Sequence, residues 1–329
     1  MNNYRDDQNT GTKSVKIKTL KELREQIRQD IGSSQKSDDT EDRFDTAAYG
    51  VPSMILTHLF IRMGISANTV TFLSLIFGVA GSFFFYPRHI GANLIGVVIE
   101  YFAVVLDCSD GQVARMTHTS SQLGRFLDGL VDTTNYFAIY LALALRMMHE
   151  TIPFTHLKWG GLIWIVLLVN GYCHGEQARM ADYYRGLHLR FLNYDSPANF
   201  TSSRSIKKEL SESRNTPLYN RLYLATYYLY TRAQERLTPN AQKLLNAIEE
   251  NGGIISLDVS RAYTSKSRKY IQLTNVLTFN LRAYTLYLLI LLRLHPFFVP
   301  FNIIVLGGIM IFMISRYEKI AKEVYEKYF

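Results

Sequence analysis

Four aspartates, Asp107, Asp110, Asp128 and Asp132, stand in the stretch LDCSDGQVARMTHTSSQLGRFLDGLVD, residues 106 to 132. Asp107 and Asp110 are three apart, and Asp128 and Asp132 are four apart, so each pair shares a face of a helix. The pairs sit at the facing ends of two apolar segments joined by a polar turn. Antiparallel packing of those segments would gather all four carboxylates. Isolated carboxylates at membrane depth are costly, and four together repel unless cations neutralise them. Oxygen-only ligation selects hard ions such as Mg2+ or Mn2+ over zinc. Two such ions can hold a phosphate and steady both the attacking and the leaving oxygen. Gly111, one turn beyond Asp107, and Gly124, one turn before Asp128, let a ligand approach the backbone. Ala114 keeps the same face open, and Arg115 can pair with a phosphate. A lone Asp-x-x-Asp would read as helix-end capping; four acids with two glycines, an alanine and an arginine in this register would not.

The elements that must position these residues follow from hydropathy. The chain has 329 residues, 48% hydrophobic and 13% aromatic, with a net charge of +8. Apolar residues collect in blocks of roughly 20, the length that crosses a bilayer, while the mean hydropathy is only −0.01. Long water-facing segments must therefore dilute the spans. The expected fold is an all-α integral membrane protein of six transmembrane helices. The expected spans are about Thr69 to Tyr86, Ile90 to Leu106, Leu123 to Leu145, Trp159 to Cys173, Val276 to Leu292 and Phe298 to Ser315. Before them, Ala47 to Met63 is apolar but interrupted by Pro52, His58 and Arg62, which suits a helix lying along the membrane surface.

The domain plan is thus a polar cytosolic arm (1–45), a surface helix with spans one to four (46–176), a soluble helical insertion (177–275), and spans five and six with a basic tail (276–329). In the arm, Leu20, Leu23, Ile27 and Ile31 have helical spacing, and GSSQKSDDTED reads as a linker. Helical patterns in the insertion cover Tyr219 to Glu235 and Ala241 to Glu250, the latter closed by Asn251, Gly252 and Gly253. Lys and Arg are concentrated in the arm, the insertion and the tail. The positive-inside bias therefore places both termini and the aspartate turn in the cytosol. Two cysteines, Cys108 and Cys173, are too few for a disulfide scaffold or a zinc site. The N-terminus lacks the apolar core of a cleaved signal peptide. No nucleic-acid-binding signature accompanies the basic pI of about 9.3, which points to lipid headgroups or phosphate substrates.

The order D-x2-D-G-x2-A-R-x8-G-x3-D-x3-D resembles the signature of the CDP-alcohol phosphotransferase family. It is met without departure by Asp107, Asp110, Gly111, Ala114, Arg115, Gly124, Asp128 and Asp132. The resemblance extends to the six-span layout and the surface helix, but not to the arm or the insertion. It implies an enzyme that transfers a substituted phosphate from a CDP-alcohol to an acceptor hydroxyl and releases CMP, in phospholipid or polyol-phosphate synthesis. It further implies that Asp107, Asp110 and Asp128 hold metals, and that Asp132 contacts one metal and acts as general base. Gly111, Ala114, Arg115, Gly124 and Ser121 would hold the cytidine diphosphate part. The segment SANTVT resembles the family's approach to its first span, so Asn68 and Thr71 would line the nucleotide pocket. At least one substrate would be a lipid, and the resemblance allows for a homodimer.

Further polar residues lie at the cytosolic ends of spans four and five: Asn170, His174, Glu176, Arg179, Asn280 and Arg282. Arg282 lies inside an apolar span and must face protein or water. Arg179 and Arg282 together would make an anion pocket for a phosphate-bearing acceptor. Two other classes compete with the enzyme. A cation- or proton-coupled transporter would also carry intramembrane acids, but would show internal repeats and broken midplane helices. A non-catalytic scaffold would not need all four acids.

Overall fold

The computed structural model describes residues 46–193, 202–213 and 218–329. The amphipathic pattern of Leu20 to Ile31 and the linker after it lie outside the described residues. The described residues are all-α apart from one isolated bridge between Thr151 and Lys158.

A π-helical turn, Thr46–Gly50, leads into α1 (Val51–Arg62). Gly64, at φ +68°, turns the chain where a side chain would be strained. Ser66 then caps α2 (Ala67–Phe83) by accepting from the Thr69 amide. The long helices α3 (Ile90–Met116) and α4 (Gln122–Met147) follow. The next helix, α5 (Leu162–Leu192), runs unbroken through residue 177, where the insertion was expected to begin. After it come α6 (Ser203–Glu212), α7 (Leu218–Arg236), α8 (Pro239–Glu250), α9 (Leu257–Ser267) and α10 (Ile271–Val276). The helical patterns read at 219–235 and 241–250 therefore match α7 and α8. The Gly253 amide closes α8 onto Ile248 O at 2.9 Å, with Gly252 and Gly253 at positive φ. The chain breaks at Leu277 and Thr278, so the apolar helix expected from Val276 starts later, as α11 (Phe279–Leu291). Short turns from His295 and a π-helical stretch, Phe301–Leu306, lead into α12 (Gly307–Tyr328).

Among the described residues two helices, Ile90–Met116 and His295–Tyr328, are long and apolar enough to cross a membrane, and Ala67–Phe83 and Leu281–Leu291 are shorter apolar helices. Polar residues account for the others. Asp128, Asp132, Thr133, Thr134 and Asn135 interrupt α4, and in α5 apolar residues give way at His174 to Glu176, Gln177 and Arg179.

Large apolar side chains are nevertheless exposed on all six: Phe72 on α2, Phe102 on α3, Phe137 on α4, Leu168 on α5, Leu288 on α11 and Ile311 on α12. Exposed apolar surface on this scale belongs against hydrocarbon or another apolar surface.

Among the described residues, the two largest of five buried apolar clusters hold the helices together. Tyr136, Ile139, Tyr140 and Leu143 of α4 pack with Phe85, with Ala283, Leu286 and Ile290 of α11, and with Phe298. Leu187 and Phe191 of α5 pack with Leu244 and Ile248 of α8, Tyr263 of α9 and Tyr317 and Val324 of α12. Of the inserted helices, α8 and α9 thus share a core with α5 and the C-terminal helix. Glu318 of α12 secures the join, accepting the Asn240 amide (2.7 Å) and the Ala241 amide (3.2 Å) at the start of α8.

Candidate active site

The aspartate turn is built by local rules. Beyond α3, His118 takes a left-handed conformation at φ 56°, and the Thr119 amide returns to Ala114 O at 2.9 Å. Ser121 opens α4 by accepting the Gly124 amide at 2.9 Å. Direct packing of α3 on α4 was the expected device, and the structure corrects it. Both helices pack mainly on α2, which meets them through glycines. A Cβ on Gly78 would lie 2.5 Å from the Asn135 side chain of α4, and one on Gly81 would lie 3.1 Å from Glu100 of α3. Small residues permit this close approach.

Held this way, Asp107, Asp110 and Asp128 each offer a carboxylate oxygen, all within 4.8 Å of one another. Asp110 is only 5% exposed. Asp107 Oδ1 and Asp110 Oδ2 are buried without a hydrogen-bond partner. Buried polar atoms are nearly always satisfied, so two orphaned carboxylate oxygens in a like-charged cluster fit a cation. Their all-oxygen character fits Mg2+ or Mn2+. Asp132, one turn further along α4 than Asp128, stays within electrostatic reach of Asp128 and Asp110 and lies outside the three-carboxylate group.

Beside the cluster opens a cavity of about 540 Å³, with Asp110 and Asp128 in its wall. Gly111, Ala114, Arg115, Ser121 and Gly124 line it from α3, the turn and α4; Asn68 and Thr71 line it from α2. All seven residues expected to hold the nucleotide therefore face one space. A Cβ on Gly111 would meet Arg115 Nη1 at 3.1 Å, so the guanidinium lies over that glycine. Ser66, Thr117, Thr119 and Ser120 also line the cavity and escaped the sequence reading. Their signal was local, since Ser66 is the helix cap next to Asn68.

The two arginines expected to bind an acceptor stand elsewhere. Neither lines the cavity. Arg179 pairs with Glu176 and lies over the Tyr230 ring of α7. Arg282 is fully buried, donating to Gln177 Oε1 (2.6 Å) and Leu277 O (3.2 Å), while its Nε and Nη1 have no partner. Asn170 Oδ1 accepts from Asn302, and His174 meets Tyr140 Oη at 3.1 Å, so both join helices. The side chain of Asn280 lies outside the described residues. Asp182 was missed: it lies within electrostatic reach of Asp132 and accepts from Tyr230 Oη at 3.3 Å. It falls in the part of α5 assigned to the insertion, where no motif marks it.

Comparison with known proteins agrees with this geometry. Residues 64–172 match the model of the CDP-alcohol phosphatidyltransferase family. The phosphatidylinositol phosphate synthase of Streptomyces avermitilis is 38% identical over 85 residues, 26% of this chain and 34% of that protein. The chain thus spans about a third of the relative it matches. It is therefore residues 64–172, with the cavity, the carboxylate cluster and the complete eight-residue signature among them, that carry the likeness to the CDP-alcohol phosphatidyltransferase family.

Proposed function

We propose that the protein is an integral membrane CDP-alcohol phosphotransferase, moving a substituted phosphate from a CDP-alcohol to an acceptor hydroxyl with release of CMP. The observation that carries this reading is the convergence of Asp107, Asp110 and Asp128 beside a cavity lined by Gly111, Ala114, Arg115 and Gly124. Asp107, Asp110 and Asp128 would hold Mg2+ or Mn2+, proposed as two ions, which would neutralise charge on the diphosphate. The Arg115 guanidinium, over Gly111, would meet a donor phosphate. Asp132 would accept the proton of the acceptor hydroxyl, whose oxygen attacks the phosphorus bearing the donor alcohol. The bond from that phosphorus to the CMP oxygen breaks, and a phosphodiester forms.

The relative's name favours a phosphatidyl donor, such as CDP-diacylglycerol, with a phosphorylated polyol as acceptor. Arg282, buried among Gln177 and Leu277 with Nε and Nη1 unpartnered, is proposed to meet the acceptor phosphate only if the acceptor opens a path to it. Arg282→Ala would then raise the acceptor KM, and an unchanged KM removes the assignment. The exposed apolar belt on α2, α3, α4, α5, α11 and α12 supports six spans. The cationic arm, insertion and tail support cytosolic termini and a cytosolic active site. A homodimer through the spans remains part of the proposal, read by cross-linking in the bilayer.

The test is CMP release from CDP-diacylglycerol by the purified protein with Mg2+ or Mn2+. Release that needs the ion supports the reading; no release with any CDP-alcohol would overturn it.

A further inference from the structure

On one face of α12, exposed apolar residues give way to charge. Ile311 and Phe312 are exposed, and Arg316, Lys319 and Glu323 follow Phe312 at i+4, i+7 and i+11, on the same face. The C-terminus of α9 and the turn into α10 lie across this face. They bring Lys266, Lys269 and Tyr270, and the two walls enclose a cleft of about 180 Å³.

Tyr317 Oη, donating to Ser267 O at 3.4 Å, ties the walls together. Tyr270 sets its ring edge-on to Phe312, with centroids 6.3 Å apart, and the Arg316 guanidinium lies 4.9 Å above the Phe312 ring. Four cations line the cleft with one carboxylate, Glu323, which is bonded to Lys266. Among the described residues no carboxylate pairs with Lys269 or Arg316, and Lys319 lies within electrostatic reach of Glu323. The cleft shares no lining residue with the cavity at the aspartates.

We propose that this cleft binds the phosphate headgroup of an anionic membrane lipid, clamped between the inserted helices and the last span. The proposal rests on α12 crossing the membrane. Lys269 and Arg316, with Lys319 beside Glu323, supply the charge a phosphate requires. The change from apolar to basic along one helix face puts them at headgroup depth, where Tyr also concentrates. A free anion would need the cations alone; the exposed Ile311 and Phe312 immediately beneath favour a ligand with acyl chains.

The test is native mass spectrometry of the full chain in detergent, with phosphatidic acid as probe and phosphatidylcholine as control. The wild type should retain phosphatidic acid over phosphatidylcholine, and excess inorganic phosphate should not displace it. The double variant Arg316→Ala/Lys319→Ala, altering two exposed side chains, should lower retention by roughly thirtyfold. Lys269→Ala, on the other wall, should lower it independently, while Asp132→Asn should retain the lipid as the wild type does. Equal retention by wild type and double variant would overturn the site, and displacement by inorganic phosphate would make it a free-anion site.

Discussion

The helix pair α3 and α4 carries a polar cluster at each end, and the two clusters differ in how their charges are satisfied. At the aspartate end, three carboxylates converge with Asp132 in electrostatic reach, and two buried oxygens have no partner. At the other end, Arg146, only 4% exposed, donates to Phe85 O, Asn93 Oδ1 and Glu150 Oε1 at 3.2, 2.9 and 3.4 Å. Glu150 also pairs with Arg88 (3.3 Å) and with His295 Nε2 (2.8 Å). That network joins the α2–α3 turn, α3, α4 and the start of the final helical run. Its charges are matched within the chain, whereas those of the aspartates are not. One end holds the helices, and the other is arranged to take up something the chain does not supply.

Substitutions that hit one end and spare the other sharpen this contrast. Asp132→Asn should cut CMP release by about 10²- to 10⁴-fold and leave the melting temperature unchanged; a chelator should silence the wild type, and added Mg2+ or Mn2+ should restore it. Glu150→Gln should do the reverse. It leaves the buried Arg146 short of its counter-charge, at a cost of about 2–3 kcal/mol after allowing for the partial exposure of Glu150, seen as a lower melting temperature with turnover retained. Gly78→Ala acts between the ends. Its Cβ would press on Asn135, costing about 1–3 kcal/mol, and it should lower turnover as well because Asn135 is one turn from Asp132.

The smallest expected effect is on pH. Glu150 lies in the loop after α4, and burial there opposes its charge. The His295 hydrogen bond and charge, with Arg146, outweigh that burial and hold its carboxyl below the usual 4.5. A carboxyl depressed by folding adds stability above its unfolded pKa and loses it as pH falls through the folded value. The stability gap between wild type and Glu150→Gln should therefore close as pH falls below 4.5. A constant gap would show that the charge on Glu150 is irrelevant.

The site was more legible in the sequence than the scaffold. Asp107, Asp110, Gly111, Ala114, Arg115, Gly124 and Asp128 could be read because short spacing on a helix fixes a shared face. Asn68 and Thr71 lie further off and needed the family likeness. What joins distant segments leaves no local period. Hydropathy does not reveal that Gly78 and Gly81 let α2 bridge α3 and α4, nor that Glu150 meets His295. The boundary at residue 177 misled because polarity rises there while helix α5 continues to Leu192. Arg282 was read as facing protein or water; it is buried, and its partner Gln177 sits at that same boundary and was assigned to the insertion.

The most direct test measures CMP release and melting temperature side by side for wild type, Asp132→Asn and Glu150→Gln in lipid bilayers with Mg2+ or Mn2+. Loss of release at unchanged stability for Asp132→Asn, with lower stability and retained release for Glu150→Gln, is the predicted result. Normal turnover by Asp132→Asn would contradict the account.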